Sequence, residues 1–267
     1  MGGAAAASAQ GAEALFWNPA GIGRLEPESP ADLALGYSNL LETTYAGSAA
    51  YARPANGGVV GAGLVYFSQS SLTSYNAVGD PNGTFTPVDL AVCFAYARRV
   101  NKVLLGGGLK AIRSSISDAS AATAAVDLGL QALHVTNVGD GAVDIGAALS
   151  NLGPPLRLGS VASALPMTLR AGFLWHTSPT FNSAIDVVLP VDSDPYAVLG
   201  VETVLKQASW KGSLRMGYNQ GRSRGIKGLT GLTAGAGLDL NRFRIDYAWV
   251  PFGDLGAANR IAIALRF

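Results

Sequence analysis

The chain has 267 residues, of which 49% are hydrophobic and only 14% charged, with 34 glycines and a formal net charge of +1. That composition is too apolar for a disordered or linker segment, and its nearly cancelling charges leave no basic footprint for nucleic acid. Helical membrane spans are excluded too: they need about 18–20 uninterrupted apolar residues, and the best stretch, Val92 to Ala111, is broken by Arg98, Arg99, Asn101 and Lys102.

Met1 to Gln10 is rich in Ala and Gly but lacks the basic and apolar regions of a secretory signal. An exported protein of this sequence is expected to have its signal removed or encoded upstream of Met1. Ala4 to Phe16 shows no alternation and reads as a short helix or coil. It runs into Trp17-Asn18-Pro19-Ala20-Gly21-Ile22, where the proline holds Asn18 extended and Gly21 permits a turn.

From Asp32 onward apolar residues recur with period two, broken by short clusters of turn-forming residues, which predicts strands and hairpins. Phe243, Ile245, Tyr247 and Trp249 alternate with Arg242, Arg244, Asp246 and Ala248; Trp210, Gly212, Leu214, Met216 and Tyr218 alternate with Lys211, Ser213, Arg215 and Gly217. The pattern predicts about 14 strands, near 31–40, 44–53, 57–68, 86–99, 103–115, 121–135, 141–150, 165–176, 181–190, 196–206, 209–219, 228–240, 242–250 and 258–267. Their lengths, about 9 to 13 residues, suit tilted strands crossing a bilayer.

The connections sort by parity. Those after even strands are short (Pro54–Asn56, Val100–Lys102, Thr136–Asp140, Thr177–Thr180, Gln207–Ala208, Asn241), whereas Gln69–Phe85, Asn151–Ala164, Gln220–Lys227 and Pro251–Ala257, after odd strands, are long. Leu41–Thr43 is a short exception. Outer-membrane barrels have this asymmetry of periplasmic turns and external loops; a soluble β-sandwich has no reason for it. The expected fold is therefore all-β: a transmembrane antiparallel β-barrel in the bacterial outer membrane, in contact with its lipid.

A barrel of about 14 strands has a lumen wider than its own side chains fill. We expect residues 1–30 to form a hatch in that lumen and residues 31–267 the barrel. A frayed tail would expose Leu15, Phe16 and Trp17 together. As a hatch, Glu13, Leu15, Phe16, Trp17, Asn18, Pro19 and Ala20 would gate the lumen, with Leu15, Phe16 and Trp17 near a ligand. Glycine relieves crowding where a barrel bends or where a plug approaches its wall closely, the role expected of Gly106-Gly107-Gly108 and of the run Gly231 to Gly237.

Charges fall mainly on the inward set, including Arg170, Asp186, Glu202, Arg215, Arg244, Asp246 and Arg260. They either line a passage or form cross-strand pairs that tether the plug, and Glu13 is the expected partner for one arginine. His134 and His176 fall near the short turns and read as interfacial residues. The lone Cys93 excludes thiolate zinc sites and internal disulfides. No nucleophile elbow, zinc-protease helix or phosphate-binding loop occurs, so neither catalysis nor a cofactor or metal is expected. The last strand, with Ile263, Leu265 and Phe267 on one face, matches the recognition pattern of the bacterial barrel assembly machinery, an expected partner.

The segments Met1-Gly2-Gly3-Ala4, Gly11-Ala12-Glu13-Ala14-Leu15-Phe16-Trp17-Asn18-Pro19-Ala20-Gly21-Ile22, Pro251-Phe252-Gly253-Asp254-Leu255-Gly256 and Asn259-Arg260-Ile261 resemble the PorV/PorQ family of outer-membrane proteins, within the FadL-like barrels. The resemblance implies a 14-stranded barrel with an N-terminal hatch whose Asn-Pro-Ala turn is Asn18-Pro19-Ala20. It implies one of two functions: import of a hydrophobic small molecule, or a non-transporting platform that holds a surface protein partner in type IX-like secretion or cell-surface attachment.

Overall fold

Alternation lets one face of each strand meet an apolar surrounding while the other faces a lumen. The computed structural model describes residues 1–41 and 43–267. In chain order the strands are β1 (Asp32–Asn39), β2 (Thr44–Ala55), β3 (Gly58–Gln69), β4 (Leu72–Tyr75), β5 (Pro81–Phe85), β6 (Val88–Val100), β7 (Val103–Ile116), β8 (Ala119–Val138), β9 (Gly141–Leu152), β10 (Leu156–Leu158), β11 (Val161–Ser163), β12 (Thr168–Ser178), β13 (Phe181–Pro190), β14 (Tyr196–Lys206), β15 (Lys211–Asn219), β16 (Leu232–Leu240), β17 (Phe243–Pro251) and β18 (Ala257–Arg266). Fourteen of them form one closed antiparallel barrel, each pairing with the next barrel strand in sequence. β1 closes on β18 in the register Leu33↔Leu265 and Tyr37↔Ile261. All fourteen predicted segments coincide with barrel strands, within a few residues at their ends.

Closure leaves no unpaired sheet edge, so backbone polar groups are satisfied without water. The outward set is apolar all round: Phe94, Leu109, Leu214 and Met216 are each more than 60% exposed. Ile263 and Phe267 share this outward exposure, with Leu265 half-buried beside them. The backbone of Phe267 exchanges two hydrogen bonds with Ala31, extending the β1–β18 seam.

Turns of two to four residues join the strands at one rim, hereafter the short-turn rim, and the long connections gather at the other. Two of the long connections hold structure that alternation did not reveal: β4 pairs with β5 and β10 with β11 as small separate hairpins. The short link between β7 and β8 is a second exception to parity. The connection Leu41–Thr43 includes Glu42, which lies outside the described residues. β8 overruns its predicted end because its register with β9 shifts between Ala132 and Thr136. There His134 adopts a left-handed backbone, with φ of 50°, the local bend that a β-bulge brings.

The first 25 residues lie inside the barrel as two 3-10 turns, Ala12–Phe16 and Pro19–Arg24, with extended links. This insert provides the hydrophobic core. Ala12, Ala14, Leu15 and Ile22 pack on Ala34, Ala50, Ala52, Val59, Cys93 and Ala97 of the wall, while Ala4 and Ala7 pack on Leu174, Ala184, Val188 and Val198. Small wall residues are what let a polypeptide fit there. A Cβ on Gly146 would stand 2.1 Å from the Ala6 carbonyl oxygen, and one on Gly106 2.3 Å from the Ala20 nitrogen.

Candidate functional site

The insert is fastened by buried polar side chains at its two ends and its middle. Asp186 Oδ2 accepts from the Ala5 and Ala6 amides at 2.7 and 2.9 Å and from Arg170 Nη1 at 3.1 Å, while the same nitrogen of Arg170 donates to the Gly3 carbonyl at 2.6 Å. Asp32 accepts from the Ala12 amide at 2.8 Å. Asn18, fully buried, caps the second turn by accepting from the Ala20 amide. Its Nδ2 donates to the carbonyls of Ala6, Leu130 and Ala147 at 2.7, 3.1 and 3.2 Å. Arg24 ends the insert, donating to the Ala7 carbonyl, Gln131 Oε1 and Asp144 Oδ2.

Other lumen charges pair across strands or along a single strand. Arg215 donates to Glu202 on one side and Asp246 on the other, and Arg244 donates to Asp246 at 2.6 Å. Arg215 and Asp246 sit on β15 and β17, with β16 between them. Gly237 makes their contact possible, because a Cβ there would fall 2.3 Å from Asp246 Oδ1. The glycines of the Gly231 to Gly237 run do not meet the plug, since Gly235 and Gly237 face Tyr247, Ala248 and the ion pair; the run touches the insert through Thr233, whose Oγ1 accepts from the Gly2 amide at 3.0 Å. In the other run only Gly106 meets the insert. Arg260 has no ion partner among the described residues, and its Nε is buried without a hydrogen bond.

Several expected roles change. Leu15, Asn18, Pro19 and Ala20 are buried between insert and wall, so Leu15 packs on the wall rather than facing the open lumen. Phe16 is half-buried, and Trp17 is 36% exposed with the Arg170 guanidinium 5.5 Å from its ring centroid, a cation–π arrangement. Trp17, Arg170, Tyr196 and Arg222 line a cavity of about 700 Å3 beneath the long loops. A second cavity of about 540 Å3 lies on the short-turn side, lined by Glu13, Arg24, His176 and Asn182 among others. The insert thus lies between two open spaces, with Trp17 lining both.

Glu13 has no ion partner among the described residues, contrary to expectation. Burial pushes its carboxyl pKa up, with Arg244 acting in the opposite sense. A carboxyl raised on folding contributes stability below its ordinary pKa, and that contribution is lost as pH rises through the folded value. Glu13→Gln is therefore expected to raise the unfolding midpoint in detergent at pH 8 and leave it unchanged at pH 4; equal shifts at both would contradict a buried charge.

His176 is not interfacial. It turns into the lumen, with Nε2 3.3 Å from Asp144 Oδ2 and Nδ1 2.9 Å from Asn182 Oδ1. Asp144, Gln131, Asp32 and Arg24 were missed in the sequence reading. Asp144 had a signal: it is the sole charge in Gly141–Leu152, at the same parity as Gly146 and Ala148.

The closed 14-stranded barrel with its filled lumen has the fold of FadL-like outer-membrane barrels. It is similar to the Ralstonia pickettii toluene transporter TbuX (TM-score 0.68, 16% identity, covering 100% of this chain and 96% of that one). The Pseudomonas putida toluene transporter TodX compares at TM-score 0.65 and 13% identity, over 99% and 94% of the two chains. A Pseudomonas aeruginosa FadL homologue compares at 0.55 and 11%, over 99% and 96%. No protein-family model matches the chain, and no curated protein does.

Proposed function

We propose that the protein is a bacterial outer-membrane barrel of the PorV/FadL type that passes small hydrophobic molecules, with residues 1–30 as its hatch and 31–267 as its wall. The observation that carries this reading is the insert itself, a separately fastened segment between two cavities, with Trp17 lining both and Phe16 lining a further space beside it. The apolar exterior suits contact with outer-membrane lipid. Ile263, Leu265 and Phe267 serve insertion by the assembly machinery, and the two toluene transporters of like fold make a monoaromatic hydrocarbon the first substrate to try.

Cells expressing the barrel are expected to take up such a hydrocarbon faster than vector controls, and deletion of residues 1–25 to add a leak for hydrophilic sugars. Correctly inserted wild-type barrel with uptake no faster than the control would sink transport. The second reading, a platform for a surface protein partner, is favoured by one observation: the long connections carry structured hairpins with exposed apolar tips, Tyr75, Val78 and Val161.

A further inference from the structure

Three consecutive barrel strands each bring one ligand-type side chain to the short-turn rim: His134 on β8, Asp144 on β9 and His176 on β12. One ligand atom from each lies within 4.8 Å of those of the other two. We propose that these residues bind a divalent transition-metal ion of the zinc class, independently of what the barrel transports.

The argument rests on hydrogen-bond polarity. Asn182 donates its Nδ2 to Glu202 at 3.0 Å, and a carboxylate only accepts, so Asn182 presents Oδ1 to His176. His176 therefore carries a proton on Nδ1, and in the neutral ring this leaves the Nε2 lone pair facing Asp144 Oδ2 at 3.3 Å. With the ring neutral, two acceptors stand at that distance and need a cation between them, either a second proton on Nε2, which makes an ordinary ion pair, or a metal ion. On a tetrahedral ion with bonds near 2.0–2.1 Å, neighbouring ligand atoms stand about 3.3 Å apart, so this pair already has ligand spacing. The Asn182–Glu202 relay is the outer support that orients a metal-binding histidine.

His134 completes the set. Its bulge places its ring 6.0 Å from that of His176, centroid to centroid. Its amide donates to Asp144 Oδ1 at 2.8 Å, and its exposed ring makes no hydrogen bond among the described residues. Arg24 Nη2 also reaches Asp144 Oδ2, at 3.2 Å. That oxygen has two lone pairs, and Arg24 keeps bonds to Ala7 and Gln131, so arginine and ion share the carboxylate. Two imidazoles and one carboxylate suit zinc, nickel or copper rather than magnesium or calcium. Three protein ligands leave a fourth position for water from the cavity that His176 lines.

The test is calorimetric titration of tag-free full-length protein in detergent with zinc chloride, with magnesium chloride as control. Wild type is expected to bind one equivalent of zinc and no magnesium, and His134→Ala and His176→Ala each to weaken zinc binding at least about tenfold. His134 is exposed, so its variant keeps the test valid should His176→Ala not fold. Absence of saturable zinc binding by wild type, leaving a proton as the shared cation, would overturn the proposal, as would unchanged affinity in His134→Ala.

Discussion

Replacing Asp186 by alanine is expected to release the front of the insert and to destabilise the folded barrel by about 3–5 kcal/mol, the usual cost of breaking a buried ion pair from one side. One carboxylate oxygen, on a residue 1% exposed, receives the Ala5 amide, the Ala6 amide and Arg170. Its removal leaves two buried amides without an acceptor and a guanidinium, 14% exposed, without its counter-charge. Asp186→Asn keeps an oxygen in place and loses only the charge, so it should fall between the two. Denaturant unfolding in detergent micelles gives the order, and planar-bilayer recordings should show ion current rising in the same order. An Asp186→Ala barrel with wild-type midpoint and current would mean that the insert is held by packing alone.

How much of this was legible in the sequence follows from what each signal depends on. Strand positions depend on alternation, which is local, so all fourteen were visible, from Leu33 on β1 to Leu265 on β18. The insert was visible because Leu15, Phe16 and Trp17 precede any strand and need cover. The partnerships inside the lumen were not visible, because they depend on which residues reach the same height on distant strands. Arg215 and Asp246 meet across β16 only through the missing side chain of Gly237. Arg260 has ordinary inward parity and Glu13 sits in the insert's first turn, yet neither has an ion partner among the described residues. His134 is brought toward His176 by a bulge, which shifts register by an amount that no period-two pattern records. The loop hairpins were hidden for a different reason: β10 and β11 have three residues each, too few for alternation to show.

The middle of the insert supplies the sharper test, because Asn18 can be changed almost without changing its shape. Its Nδ2 points at three carbonyl oxygens and its Oδ1 caps the following turn. Asn18→Ala loses those bonds, but the Ala6 carbonyl keeps Gln131 as a donor, so the loss should be about 1–3 kcal/mol. Asn18→Asp retains the capping oxygen and turns a second, charged oxygen toward the three carbonyls in a site without solvent access. Burying an uncompensated charge costs more than losing a hydrogen bond, so the near-isosteric variant should be the more damaging of the two, by about 2 kcal/mol or more. Gly129→Ala attacks the same joint from the wall, since its Cβ would stand 2.1 Å from Asn18 Oδ1, whereas Gly107→Ala, whose Cβ meets only a Leu128 methyl at 3.8 Å, should be silent. Ion current through the reconstituted barrel should therefore be high for Asn18→Asp and Gly129→Ala, intermediate for Asn18→Ala, and at wild-type level for Gly107→Ala. If Asn18→Asp were as tight as wild type, the three carbonyls would not be the insert's lock, and Asp186 with Arg24 would have to hold it closed.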